Sequence, residues 1–485
     1  METWFGDVWL VRLLVQRGLA AIYLIAFLCA FEQFPALLGE RGLLPVPSYL
    51  ARVGFRDAPS LFHLHYSDRF LRGVAALGIA LALVALFGLS EAGPLWRSIA
   101  VWLLLWVLYL SIVNVGQTFY GFGWESMLLE AGFFAVFLGP CGSSPSLIPV
   151  LALRWMLFRV ELGAGLIKLR HDRCWRDLTC LYYHHETQPM PNPLSADFHR
   201  LPRLVQHASV AFSHVVQIAV PFGLFAPQPI AAASGCLIIV HQLALIASGN
   251  YSWLNWLTAI LGFTAFSDST LRAITTAIAS PSLAPRPPIF DAVLYVLASA
   301  TALLSIQPAL NLCSKRQKMN YSYNPLHLVG SYGAFGSVTR RRYEIVVEGT
   351  EAEVLSATTE WREYEFRGKP GDVRRRPRQW APYHLRLDWL MWFLPLSVGV
   401  IEDRHQLSIL GHERWFVRFA EKLLEADPTT LALLRSDPFH GRRPRFVRAG
   451  FYRYRFTERS RRRVTGFWWE RTYVGDYLQP RALSE

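Results

Sequence analysis

The chain has 485 residues, is 52% hydrophobic and carries a formal net charge of +13. It is too long for one ordinary soluble domain. High apolar content beside high charge excludes a uniform globule and fits a chain with two zones: residues 311–485 hold 31 of the 49 Lys and Arg but only 20 of the 36 acids, while 1–310 hold nearly all the long apolar runs.

At the start, Arg12 and Arg17 interrupt the first apolar run, and no small-residue cleavage site ends it before Phe31. The segment is therefore expected to be a retained helix rather than a cleaved leader. A span needs about 20 mostly apolar residues. Candidates follow at 13–33, 73–89, 99–116, 124–139, 147–169, 208–226, 230–247, 251–266 and 289–308, the short runs at 124–139 and 251–266 being either spans or re-entrant or tilted segments. The sequence thus predicts an α-helical multi-pass membrane bundle of about eight or nine spans over residues 1–310. Long polar loops are expected at 34–72 and 170–207, and an exposed Ser/Pro-rich connection at 267–288.

The fifth candidate span is unusual. It reads Arg154 to Lys168 and contains Arg154, Arg159, Glu161 and Lys168. Arg154, Glu161 and Lys168 recur every seven residues, nearly two helical turns, so they share one stripe. Each charge costs about 2.5–3.5 kcal/mol at the bilayer centre, so the stripe must face protein or a wet cavity. Neighbouring rungs are about 10 Å apart, so partners must come from other helices. Glu125 and Glu130 of the preceding span, with Asn114 and Gln117, are the expected partners in one polar cluster. Gly163, Ala164 and Gly165 permit close approach of another helix. Two readings stand: a buried ion network that fixes register, or a site in which Lys168 is a base or an anion anchor.

The loop that follows is crowded with Cys174, Trp175, Arg176, Asp177, Cys180, His184 and His185. Six cysteines occur in all, with no C-x-x-C pair, which argues against a zinc ribbon or thioredoxin-type motif. Cys174 and Cys180 form either a local disulfide in an oxidising compartment or two free thiols. Adjacent His184 and His185 point apart in most backbones and make poor joint ligands, so no metal is expected, and no cofactor. Pro189, Pro191 and Pro193 suggest a rigid extended segment at the membrane surface.

Beyond Cys313 a basic, β-rich soluble domain, residues 311–485, is expected. Tyr343–Glu348 and Trp361–Phe366 read as strands, Phe451–Phe456 and Phe467–Glu470 as a strand pair, and 411–436 as a helix broken at Asp427-Pro428. The aromatic strands near Trp361–Phe366 and Phe451–Trp469 are the candidate client-contact surface; the other reading is that their aromatics are core. The arginine runs at 340–342, 374–376 and 461–463 match no nucleic-acid motif, so no nucleic acid is expected as a partner. Arginine-bearing loops on the face of this domain point it toward the cytoplasm.

The stretches Gly163–Lys168, Cys174–Cys180 and Glu186–Pro193 resemble the lipase maturation factor family. So do Gly39–Pro45, Gly123-Trp124-Glu125-Ser126 with Leu129-Glu130, Ser248-Gly249-Asn250, Tyr332–Ser337, Lys369–Asp372, and Pro382-Tyr383-His384 with Arg386–Trp392. The resemblance implies a multi-pass protein that assists folding and assembly of secreted lipases. It places the C-terminal domain in the lumen against the client, and this outweighs the loop-charge reading. The membrane would be that of the endoplasmic reticulum in a eukaryote and the plasma membrane in a bacterium. In animal members cysteines stand near the positions of Gly368 and Arg378, so that disulfide cannot form here. A looser likeness, the small-residue helix ending in Lys168 with Trp175 beyond it, is similar to the membrane domain of vitamin K-dependent γ-carboxylases, where such a lysine serves as base. The expected function is that of a membrane-resident, chaperone-like maturation factor whose partners are a secreted client protein and the lipid bilayer. The alternative is a membrane enzyme acting on a lipid or quinone-like substrate, with Lys168 as base.

Overall fold

The structure, a computed structural model, describes residues 2–273, 282–401 and 406–483. Helix α1, Trp9–Leu38, has twenty of its thirty residues buried and forms the axis of the N-terminal bundle. Around it stand α2 (Asp68–Leu86), α3 (Leu95–Asn114), α4 (Gly123–Ala135) and α5 (Leu147–Arg170). Next come α6 (Leu181–Thr187), α7 (Arg203–His214), α8 (Ile230–Ser248), α9 (Leu254–Gly262) and α10 (Pro288–Leu304). Starts are set locally: Ser67 and Ser146 accept backbone N–H bonds at the heads of α2 and α5, satisfying donors that a helix start leaves open.

Among the described residues five helices are long and apolar enough to cross a membrane: α1, α2, α3, α8, and α10 with its continuation to Cys313. This measure does not reach the eight or nine spans expected. The 13 residues of α4 and nine of α9 cover only about 20 and 14 Å of a core about 30 Å thick. Helix α5 is long enough but carries its charges, and the predicted span 208–226 is divided into α7, a wide π-type turn at Val215–Ala219 and a short helix at Val220–Gly223. Apolar side chains stand open on α2 and α10: Leu77, Ile289, Tyr295, Val296 and Leu303. An unpaired apolar face of this kind suits acyl chains, not water.

The C-terminal region is built on an antiparallel sheet in the order β2-β1-β5-β6. The strands are β1 (Arg342–Thr350), β2 (Arg362–Glu363), β5 (Phe446–Phe456) and β6 (Trp469–Arg481); β3 (Val398–Ile401) and β4 (Gln406–Ile409) form a separate hairpin. The sequence pair 451–456 and 467–470 meets as expected, Phe456 opposite Trp469. The region also holds α11 (Arg386–Met391) and α12 (Arg414–Leu424), and Asp427 caps the short helix Pro428–Leu431 that follows the break. Alternation along β1 sends Ile345 and Val347 into a core shared with Phe416 and Phe419 of α12. Val346, Tyr454, Phe456 and Trp469 go to the opposite side, against Ala196 from the long loop. Hence Tyr364, Phe366, Phe451, Tyr454 and Trp469 are buried. These five strand aromatics are core, the second of the two readings, whereas Trp361, Tyr452, Phe467 and Trp468 are half-buried.

The loop at 170–207 also differs from expectation. Pro189, Met190, Pro191 and Asn192 are buried, under the sheet rather than spread on the membrane surface. Arg342, itself buried, donates to the carbonyls of Glu186 and Pro189 at 3.0 Å. Part of the predicted connection 267–288, residues 274–281, lies outside the described residues.

Candidate functional site

Every charge on α5 faces protein. Arg154, Arg159 and Glu161 are at most 1% exposed and Lys168 is 6% exposed. They do not form the single cluster expected. Arg154 donates to the carbonyls of Thr264 (3.1 Å) and Leu224 (3.0 Å). Arg159 pairs with Glu130, which also accepts from the Gly330 N–H at 3.0 Å and the Tyr332 hydroxyl at 2.7 Å. Glu161 accepts from Gln242 at 2.7 Å. Lys168 donates to Gln217 at 2.7 Å and lies 4.8 Å from the centre of the Trp175 ring. Glu125 turns away from α5 altogether and pairs with Arg386 at 2.7 Å, while also accepting from Tyr109. Asn114 and Gln117 bond to loop carbonyls, those of Pro59 and Leu44. The reason is geometric: rungs about 10 Å apart meet different neighbours at each level.

The small residues of α5 also divide their work. A Cβ at Gly165 would meet Ile218 and Gln217 in the π-type turn, whereas one at Gly163 would run into the Tyr332 carbonyl. The second contact is with a loop of the C-terminal half, not a helix.

Two places result. The first is the junction between bundle and C-terminal region. Here Asn250 accepts from the N–H groups of Trp380 (2.7 Å) and Ala381 (2.9 Å). Gln33 donates to the His384 carbonyl (2.7 Å) and accepts from the Arg386 N–H (3.0 Å). Arg386 closes on Glu125. The His384 ring sits among Phe122, Trp124 and Trp389 at centroid distances of 5.2–5.7 Å; burial holds it neutral, its pKa far below the ordinary value. The motifs at Gly123–Ser126, Ser248–Asn250 and Pro382–Trp392 therefore converge on one interface. Beside it opens a cleft of about 740 Å³ whose lining includes Phe122, Trp389, Trp392, Phe393, Leu396 and Trp415.

The second place is a cavity of about 400 Å³ beneath the loop, bounded by α5, α7, α8 and α9 and holding Glu161, Lys168, Trp175, His184, His185 and His241. His184 shares a 2.8 Å hydrogen bond with the Tyr251 hydroxyl. Burial, then the nearby Lys168 charge, lowers its pKa to about 3; burial likewise holds His185 well below its ordinary value. Both are neutral at physiological pH. Missed from sequence were Gln217, Gln242 and His241, which lie on segments that read as plain apolar runs.

Outside the cavity, Cys174 and Cys180 form a disulfide with Cα atoms 4.8 Å apart, so neither offers a thiolate to a metal. Arg176 and Asp177 face solvent, Asp177 accepting from Arg173 at 3.0 Å. The loop is tied to the C-terminal half by Asp172, which accepts from Arg340 at 2.8 Å, and by the Trp175 indole N–H, which donates to the Phe335 carbonyl at 2.8 Å. The Arg340 guanidinium lowers the Asp172 pKa to about 2.

Comparison with known proteins matches both halves. The lipase maturation factor transmembrane domain matches residues 10–273, and the lipase maturation factor C-terminal domain matches residues 328–479. Lipase maturation factor 1 of Bos taurus is 40% identical, over 99% of this chain and 90% of its own length; that of Homo sapiens is 40% identical over 99% and 89%. Lipase maturation factor 2 of Xenopus tropicalis is 28% identical over 99% and 83%. No solved structure matches the chain. With both domains matched in order and the identity running through nearly the whole length, the chain belongs to the lipase maturation factor family.

Proposed function

We propose that this protein is a membrane-resident maturation factor that assists the folding and assembly of secreted lipases. The observation that carries the reading is the end-to-end likeness to lipase maturation factor 1 at 40% identity. Three of the motifs behind it, at Gly123–Ser126, Ser248–Asn250 and Pro382–Trp392, meet at the junction that fixes the β-sheet region onto the bundle. A sheet held rigidly beside the bilayer can receive a client as it leaves the membrane, and a hydrogen-bonded, buried junction supplies that rigidity.

The disulfide supports an orientation. Disulfides persist in oxidising compartments, and the Cys174–Cys180 loop is bonded through Asp172 and Trp175 to the C-terminal half. Both therefore face the oxidising side: the lumen of the endoplasmic reticulum in a eukaryote, the outer side of the plasma membrane in a bacterium. The client surface in this reading is the aromatic cleft at the junction. Phe393 is 42% and Leu396 47% exposed there, and apolar side chains open at a cleft suit the unburied apolar segments of an incompletely folded protein. The enzymatic alternative is not favoured, because the relatives matched along the whole chain are maturation factors.

The test is co-expression of a dimeric secreted lipase in cells lacking their own factor. The chain should restore secreted lipase activity. Phe393→Asp with Leu396→Asp should lower that yield several-fold while leaving the factor's abundance unchanged. Full rescue by the double variant would remove the cleft from the client surface, and no rescue by the parent chain would overturn the function.

A further inference from the structure

We infer that the cavity around Glu161 and Lys168 binds a single-chain lipid with an uncharged, hydroxyl-bearing head, admitted sideways from the bilayer between α7 and α8. The role is separate from client maturation and needs no chemistry.

Three features of the cavity carry this. The first is its mouth. Val205, Ala208 and Phe212 of α7 and Ala244 of α8 line the cavity and are exposed. Around them, Leu204 (79% exposed), Val240 and Leu243 turn outward on the same two helices, one of which is long and apolar enough to cross the membrane. The opening is therefore framed by apolar side chains, as an entrance from acyl chains would be.

The second is unspent hydrogen-bonding capacity. Glu161 Oε2 and His241 Nδ1 have no partner among the described residues, although Glu161 is fully buried and His241 is 4% exposed. Buried polar atoms of this kind are ordinarily satisfied. Lys168 offers three hydrogens, one of which goes to Gln217. A ligand head that both donates, to Glu161, and accepts, from Lys168, completes the set, and a hydroxyl does both.

The third is charge and size. One cation and one anion in the same cavity leave a charged head facing a like charge at low dielectric, which is a strong penalty. A fatty-acid carboxylate meets Glu161; a free ammonium meets Lys168. The volume of about 400 Å³ lies at the low end of the roughly 300–1,000 Å³ of ordinary ligand pockets, room for one acyl chain and not for a two-chain phospholipid.

The experiment uses the full chain reconstituted in phosphatidylcholine nanodiscs, with monooleoylglycerol, oleate and oleylamine as probes, and native mass spectrometry as readout. Monooleoylglycerol should be retained as a single bound copy, with the two charged-head probes weaker by about tenfold or more. Ala208→Trp, at the exposed mouth, should abolish retention without moving the thermal midpoint of the lipid-free protein. Glu161→Gln leaves Lys168 as the sole charge and should shift preference toward oleate. No single-copy retention, unchanged retention in Ala208→Trp, or a preference of the parent chain for oleate would each overturn the assignment.

Discussion

Arg386, a residue of the C-terminal region, donates to Glu125 of α4 at 2.7 Å, and neither side chain is open to solvent. Arg386 also donates to the Phe119 carbonyl at 2.8 Å and lies over the Tyr120 ring. The pair therefore reaches from one half of the chain into the core of the other. Removing one member of such a pair strands the other charge, at a cost of about 3–5 kcal/mol, whereas replacing both with apolar groups is far milder. Arg386→Met and Glu125→Leu should each lower the thermal midpoint sharply and expose the 314–341 connection to protease. The double variant should recover most of the loss. Equal damage in singles and double would mean that shape, not charge, holds the junction.

Much of this arrangement was legible in the sequence, but only as far as local rules reach. The seven-residue recurrence of Arg154, Glu161 and Lys168 was enough to bury that stripe, because charges cannot face lipid whatever their partners. Partner identity was legible only in part: Arg159 meets Glu130, an expected partner on the preceding span, but the other pairings depend on which segment crosses α5 at each level. Glu125 found Arg386, 261 positions away, and Glu130 found Gly330 and Tyr332. Strand periodicity located β1 and β5 but could not say that both faces of β1 would be covered. A wet cavity beside Lys168 was one of the two readings open in the sequence, but its other walls were not, because Gln217 sits in a π-type turn that no periodicity marks, and His241 and Gln242 sit inside an otherwise apolar span.

Acid should loosen the contact between the disulfide loop and the C-terminal half. Asp172 has its pKa lowered from 3.8 to about 2, chiefly by the Arg340 hydrogen bonds. A carboxyl whose folded value is depressed adds stability that is whole above the unfolded value and is lost as pH falls through the folded one. Hydrogen exchange in residues 335–340 should be flat from neutral pH to about 4, apart from the intrinsic pH dependence of exchange. It should then show extra opening between about 4 and 2. Asp172→Asn should remove that step and leave the contact weaker at every pH. An unchanged acid step in the variant would assign it to another group.

The disulfide should be present in the mature protein and should matter modestly. Its cysteines are six positions apart and packed with Val210 and Val338. Closing so short a loop stabilises by about 2 kcal/mol on the chain-entropy account. The double variant Cys174→Ser, Cys180→Ser should lower the thermal midpoint by a few degrees, and peptide mapping without reductant should recover Cys174 joined to Cys180. Both recovered as free thiols from intact cells would place the loop on a reducing face and reverse the orientation argued above.

Gly163 should tolerate no side chain. An added Cβ runs into the Tyr332 carbonyl, a backbone atom that cannot swing aside, and Tyr332 is the residue whose hydroxyl reaches Glu130. Overpacking of this sort costs about 1–3 kcal/mol. Gly163→Ala should destabilise within that range, and Gly163→Val should do more. Gly142, whose added Cβ would meet nothing within 4 Å, should accept Ala with little change and serves as the control.

The last prediction separates the two kinds of buried charge on α5. Arg159 and Glu130 satisfy each other, and Glu130 in turn holds Gly330 and Tyr332. Lys168 has no carboxylate within 4 Å among the described residues; its partners are the Gln217 amide and the Trp175 ring. Arg159→Met therefore strands an anion in the core and should cost about 3–5 kcal/mol. Lys168→Met leaves the Gln217 oxygen to the Ser213 hydroxyl, which already donates at 3.4 Å; it also leaves Glu161 without the opposite charge it faces across the cavity, but removes a cation that burial disfavours. Its cost should be about 1 kcal/mol, the scale of one hydrogen bond. Thermal midpoints of the two proteins in the same detergent decide the matter. A collapse of Lys168→Met equal to that of Arg159→Met would make Lys168 a structural member of the same ion network, not the wall of a cavity.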